Sequence, residues 1–341
     1  MPNWKSGWRD WNSFSSRRPN SKHLMKLAGQ LLLLSLITTG IRSPCQGGDQ
    51  APATLLGARE NFRTKLLSQN TAKDPVEVAP RQIFLTVKYP AANGQLAAYL
   101  TPDPVDGKKY PAIIWITGGD CNSIGDVWSV APRDNDQTAA AYRQARIVMM
   151  FPSLRGGNNN PGVKEGFLGE VDDVLAAAKY LQKQPYVDPK RVYLGGHSTG
   201  GTLALLVSEC SSLFRAVFAF GPVGDVAGYG SAHGFVPVDL RNRQEVRLRS
   251  PGYWLPSIQS PTWVLEGTEG NIDPLRAMAR TSTNAKVRFV EIKGANHFAV
   301  LAPINEFIAR QILQDTGAEC SITLSTGEVN RHFAASRTVK P

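Results

Sequence analysis

Ser198 stands in the run Val192-Tyr-Leu-Gly-Gly-His-Ser-Thr-Gly-Gly201, between a short apolar stretch and the helix-like stretch Thr202–Glu209. A strand running through Gly-x-Ser-x-Gly into a helix predicts a sharp turn that forces one hydroxyl outward. Small residues are needed on both flanks because side chains at Gly196 or Gly200 would meet neighbouring backbone. The chemistry such a turn serves is nucleophilic attack, with Ser198 as nucleophile. A lone serine hydroxyl is a poor nucleophile. It needs a base within hydrogen-bond reach, and the base needs an orienting acid.

Five histidines are candidates for the base. His23 lies in the basic N-terminal stretch, His332 in the C-terminal tail, and His233 in a long irregular stretch. His197 adjoins the serine, so its ring is expected to point elsewhere. His297 follows the last strand-like run, Val287–Ile292, and takes the place a base should occupy. Imidazole suits the task because its ordinary pKa lies near neutral pH. For the developing oxyanion, backbone donors are expected from Thr199 and from Gly119, within Gly118-Gly119-Asp120 after the third strand.

These groups need strands to carry them. Ile83–Val87 and Gln95–Leu100 flank Ala92-Asn93-Gly94, a hairpin signal. Continuous apolar runs at 112–117 and 147–151 suit buried parallel strands, and 191–194, 216–220, 262–266 and 287–292 read as further strands. Helical patterns at 138–146, 170–183, 202–209, 275–280 and 304–313 alternate with them. The alternation predicts an α/β fold with a mostly parallel eight-stranded sheet, helices on both faces and an antiparallel edge.

With these marks in place, the chain resembles an α/β-hydrolase, most similar to the catalytic domain of the prolyl oligopeptidase family and related esterases. The resemblance runs from about Ile83 to Leu313. It rests on Phe151–Gly157, Glu170-Val-Asp-Asp173, Asp188–Arg191, Gly195–Gly201, Arg249-Ser-Pro251 and Gly294-Ala-Asn-His297. It implies a Ser–Asp–His triad that cleaves ester or peptide bonds without metal or organic cofactor. One departure concerns the acid. Family members carry His-Gly at the end of the seventh strand and an aspartate three residues after that glycine. Here the strand ends Val264-Leu-Glu266-Gly267, and the aspartate position is Gly270. Glu269 is the preferred replacement, with Asp273 and Asp225 as alternatives. Asp273 also suits a helix cap, and the family counterpart of Asp225 looks structural. A second departure is that the 46–80 segment is too short for the family's substrate-screening propeller.

Three functions follow. The first is a serine hydrolase cleaving carboxylic ester or acyl bonds through an acyl-enzyme. The second is a prolyl-oligopeptidase-type serine peptidase. The third is a catalytically impaired α/β-hydrolase that binds a partner, supported by the missing aspartate alone.

The chain has 341 residues, 42% hydrophobic and 19% charged, which is ordinary globular composition. Its net charge of +10 is uneven, because residues 1–45 carry +6 and the rest +4. The basic excess therefore gives no support to a nucleic-acid partner. Lys22 and Lys26 precede the apolar core Leu27–Ile41, so residues 1–45 read as an export leader, with Met25 as the preferred start. Membrane contact is expected only through that leader, if it stays uncleaved. Residues 46–80 read as a linker with one helix around 55–67, 81–314 as the hydrolase domain, 222–260 as a possible lid, and 315–341 as a loose tail. Arg241, Arg243, Arg247 and Arg249 read as a solvated face. Among four cysteines, Cys210 and Cys320 are a conceivable pair.

Overall fold

The computed structural model describes residues 54–230 and 235–338. The leader expected at 1–45, Cys45 and His233 lie outside the described residues. A short helix, α1 (Leu55–Arg59), precedes the hairpin β1 (Leu85–Ala91) and β2 (Gly94–Leu100). There follow β3 (Tyr110–Ile116), α2 (Ala140–Gln144), β4 (Val148–Pro152), α3 (Glu170–Gln182), β5 (Val187–His197) and α4 (Thr199–Cys210). The second half runs β6 (Val217–Phe220), α5 (Arg243–Arg249), β7 (Thr262–Gly267), α6 (Ile272–Thr281), β8 (Val287–Ile292), α7 (Leu301–Gln314) and α8 (Thr326–Thr338).

The eight strands form one sheet in the order β1-β2-β4-β3-β5-β6-β7-β8. β1 and β2 pair antiparallel and β2 meets β4 antiparallel, while the pairings from β4 to β8 are parallel. Alternation along β3 shows why the runs are apolar throughout. Ile114 and Ile116 enter one core with residues of α3 and α4, while Ile113 and Trp115 enter the other with residues of α7 and α8. The expected α/β-hydrolase architecture is present, with helices over both faces.

Three segments are more firmly built than their composition predicts. Residues 54–80 include a helix of only five residues, α1, and then a strap bonded along the domain. Leu66 bridges Val238, the Leu67 amide donates to Pro237 O (2.7 Å), and the Ala72 amide donates to Gly156 O (2.8 Å). The possible lid is part of the core, since Val226, Val238, Leu248 and Trp254 are buried there. Arg249 is fully buried rather than solvated. Its guanidinium bonds Glu245 Oε2 (2.5 Å), Thr64 Oγ1 (2.7 Å) and Glu165 O (3.0 Å). A buried guanidinium with one missing partner would be costly, so these bonds tie strap, lid and domain together.

The tail is likewise packed. Val329 and Phe333 of α8 are buried, and Asp315 is fully buried, accepting from Tyr193 Oη (2.6 Å) and Arg215 Nε (2.6 Å). Burial alone would raise the Asp315 pKa, but the Arg215 and Tyr193 hydrogen bonds outweigh it and hold the carboxyl well below its ordinary range. Polar composition hid this because each polar group has a specific partner. Cys121, Cys210 and Cys320 are free thiols, so the Cys210–Cys320 pairing is not formed.

Candidate active site

Ser198 is the one residue between β5 and α4, with φ 56° and ψ −115°. That left-handed value is rare for a residue with a Cβ and costs on the order of 1–3 kcal/mol. Surrounding contacts enforce it. The Ser198 amide donates to Phe220 O on β6 (2.7 Å), and its carbonyl accepts from Thr202 in the first turn of α4 (2.9 Å). The flanking glycines are required by close approach. A Cβ on Gly196 would strike Gly200 O, and one on Gly200 would strike Ile116 O of β3. The crossing of β3, β5 and α4 leaves room there for hydrogen atoms only.

His297 sits in the turn between β8 and α7 and is 5% exposed. Asn296 shapes that turn by accepting the amides of Phe298 (2.9 Å) and Ala299 (2.8 Å) through its side chain. The ring contacts the nucleophile's neighbourhood through Gly221, next in sequence to the Phe220 carbonyl that holds the Ser198 amide. A Cβ on Gly221 would strike His297 Cε1 and come within 2.6 Å of Glu266 Oε2. Serine and histidine therefore lie at the same carboxyl edge of the sheet.

The acid that meets His297 is Glu266, which sequence reasoning did not nominate. It is the penultimate residue of β7, is fully buried, and its Oε2 lies 2.6 Å from His297 Nδ1. Its Oε1 accepts the Gly267 amide (2.6 Å). A carboxylate oxygen only accepts, so the hydrogen sits on Nδ1 and Nε2 is the ring nitrogen that can accept a proton. Glu269 is exposed and places only its backbone in the site, donating to Ala295 O (2.9 Å). Asp273 is exposed in the first turn of α6. Asp225 caps a 3-10 turn, accepting from Ala227 N (2.8 Å), and Ser250 Oγ donates to the same oxygen (3.3 Å). None of the three predicted acids has a bond to His297 among the described interactions.

The glycine at the family's aspartate position has a physical reason. A Cβ on Gly270 would lie 2.5 Å from Glu266 Oε1 and 2.7 Å from the His297 amide. The carboxylate on the strand fills the space that a loop carboxylate would need. The signal was available in sequence, because Glu266 is a charged residue closing an otherwise apolar buried strand.

Thr199 opens α4, so its N–H has no acceptor within the helix. Gly119 has φ +75°, and its carbonyl accepts from Thr199 Oγ1 (2.9 Å), which links the two expected oxyanion donors directly. Behind this loop Asn122 Nδ2 bonds Arg155 O (2.8 Å) and Glu170 Oε1 (3.1 Å), and Arg155 pairs with buried Asp173 (2.8 Å). Glu170 and Asp173 of the quoted marks thus serve to brace the loop. Beside Gly119 a cavity of about 260 Å³ is edged by Asn70, Cys121, Phe167, Phe235 and the ion pair Asp120–Lys164 (2.7 Å). Among the aromatic residues of the 222–260 segment, Tyr229 stacks on Phe167 (5.6 Å between centroids) and meets Phe235 edge-on (5.8 Å). Trp254 is buried in the core beneath Arg247, and Tyr253 is largely exposed.

Sheet order and the strained serine between β5 and α4 are those of the α/β-hydrolase fold. Residues 147–251 match the family model described as Prolyl oligopeptidase family. Dipeptidyl peptidase 4 of Felis catus is 29% identical over 198 residues, covering 55% of this chain and 26% of the relative. An uncharacterized peptidase, YtmA of Bacillus subtilis, is 28% identical over 137 residues, covering 40% of this chain and 50% of that protein. The solved Porphyromonas gingivalis dipeptidyl peptidase 4 superposes with TM-score 0.56 at 18% identity, over 68% of this chain and 35% of that one. The chain spans about a quarter of the length of the dipeptidyl peptidases it matches.

Proposed function

We propose that this protein is a serine hydrolase whose triad is Ser198, His297 and Glu266. In the proposed reaction Ser198 Oγ attacks a substrate carbonyl carbon while His297 Nε2 takes the hydroxyl proton. Negative charge on the carbonyl oxygen faces the Thr199 and Gly119 amides. His297 passes the proton to the leaving group as its bond to carbon breaks, which leaves an acyl-serine. A water, deprotonated by His297, then releases the acid and restores the serine. Glu266 holds the Nδ1–H and stabilises the imidazolium in both halves. The observation that carries the reading is the buried 2.6 Å contact between Glu266 and His297 beside a serine at φ 56°.

The named peptidases among the relatives support a peptide or amide bond as the scissile group. A carboxylic ester is the second reading, supported by the chemistry that both acylations share. The impaired-hydrolase reading loses its support, since Glu266 occupies the space of the missing aspartate. The basic, then apolar, pattern of residues 22–41 supports an exported protein, which cell fractionation tests. A fluorophosphonate probe tests the main reading. The folded protein is expected to label at one site, and Ser198→Ala to abolish labelling. Unlabelled, correctly folded protein would defeat it. Aminoacyl-arylamides set against p-nitrophenyl esters then separate peptidase from esterase.

A further inference from the structure

His197 precedes the nucleophile and is fully buried, with its ring centroid 4.4 Å from that of His297. Its Nε2 lies 3.0 Å from the backbone oxygen of His297. A carbonyl oxygen only accepts, so Nε2 carries the hydrogen. Burial, aided by His297 alongside, pushes the His197 pKa well below its ordinary 6.5, so the ring is neutral and Nδ1 is bare. Gln137 Nε2 lies 2.9 Å from that Nδ1 and donates to it. The amide orientation is then fixed, and Gln137 Oε1 faces the Gly118 amide, which donates to it (3.4 Å). Asn135 Oδ1 accepts the other Gln137 Nε2 hydrogen (3.0 Å). Every hydrogen in this chain has one direction, and tautomer, amide orientation and loop carbonyl agree.

We propose that Gln137 and His197 are positioning residues that couple the two catalytic loops. One side chain, Gln137, holds the oxyanion-side loop at Gly118 and, through His197, the carbonyl of the residue that carries the base. The inference rests on the triad reading above. Among the described residues, the charged or titratable groups that face His197 are His297 and, through it, Glu266. The buried His197 ring stays uncharged, so no second cation opposes the imidazolium formed on His297. Neither Gln137 nor His197 exchanges a proton with substrate. Their effect is on where the base and the oxyanion donor stand.

The test is the rate of fluorophosphonate labelling in wild type, His197→Phe, Gln137→Met and the double variant, with melting midpoints measured in parallel. His197→Phe keeps a ring and loses both hydrogen bonds, and is expected to slow labelling about 10- to 100-fold, the scale of an ångström-sized misplacement. Gln137→Met, at a half-buried loop position, is expected to slow it about tenfold. Because both act through one chain, the double variant should be no slower than His197→Phe alone. A merely structural role would lower melting midpoints without that coupling. Wild-type labelling rates in folded Gln137→Met, or losses that multiply in the double variant, would overturn the proposal. If His197→Phe does not fold, the Gln137→Met rate decides. Failure of the wild type to label would instead count against the triad itself.

Discussion

The carboxyl edge of the sheet and the far end of α4 each bury a glutamate, and they treat it in opposite ways. Glu266 is fully buried with both oxygens bonded, one to His297 and one to the Gly267 amide. Glu209, eleven residues beyond Ser198, is 3% exposed, and neither oxygen has a hydrogen-bond partner among the described residues. Burial pushes the Glu209 pKa well above its ordinary 4.5. The same burial cost is therefore met by a partner at one site and by protonation at the other. Desolvation makes a carboxylate useful only where a donor is ready to use it. Elsewhere it is a source of pH sensitivity.

The sharpest break in this comparison is to remove the charge at the partnered site. Glu266→Gln is expected to lower kcat by about 10³- to 10⁴-fold, because the amide favours the wrong imidazole tautomer. Parallel Glu269→Gln, Asp273→Asn and Asp225→Asn variants should stay within about threefold of wild type. A deep loss in any of those three, with Glu266→Gln active, would move the acid elsewhere. Next in size is relocation of the charge. Gly270→Asp crowds a second carboxylate against Glu266 and should cost about 100-fold in rate. Combining it with Glu266→His restores the family's arrangement and should recover at least about tenfold of that loss. A double variant slower than the single would show that the strand and loop positions are not interchangeable.

The smallest effect concerns the unpartnered glutamate. Above pH 4.5 Glu209 ionises in the unfolded chain while staying protonated in the fold. Unfolding then releases a proton, and stability falls by about 1.4 kcal/mol per pH unit until the folded pKa is reached. Glu209→Gln, which mimics the protonated form, should match wild type near pH 4.5 and melt higher than wild type at pH 8. Parallel melting curves for the two proteins across that range would remove Glu209 as a source of pH sensitivity.

Ser198, His297 and the strands that carry them were legible because strand, elbow and terminal-loop signals are local in the chain. The carboxylate that meets His297 was not, because position was read by family spacing while space decides the matter. In sequence Gly270 reads as a missing aspartate, yet it is the vacancy that lets Glu266 fit. Helix α8 reads in sequence as a loose tail and Arg249 as solvated for a related reason. Their polar groups find partners at Glu291, Pro303, Glu245 and Thr64, contacts that composition and periodicity do not encode. The strap's few apolar residues hid how many backbone bonds it makes.

Thr64 and Lys65 complete the coordination of a buried acid, with the Thr64 hydroxyl 3.0 Å and the Lys65 amide 2.7 Å from the Glu245 carboxylate. Glu245 in turn grips Arg249, whose other bonds reach Glu165 near the Gly119 cavity. Tension applied upstream of α1 would meet the strap and the Glu245–Arg249 lock before it reached the sheet. The segment ahead of the first strand is thus an anchor bolt for the floor of the site, and a tether at that end would pull on the domain through it.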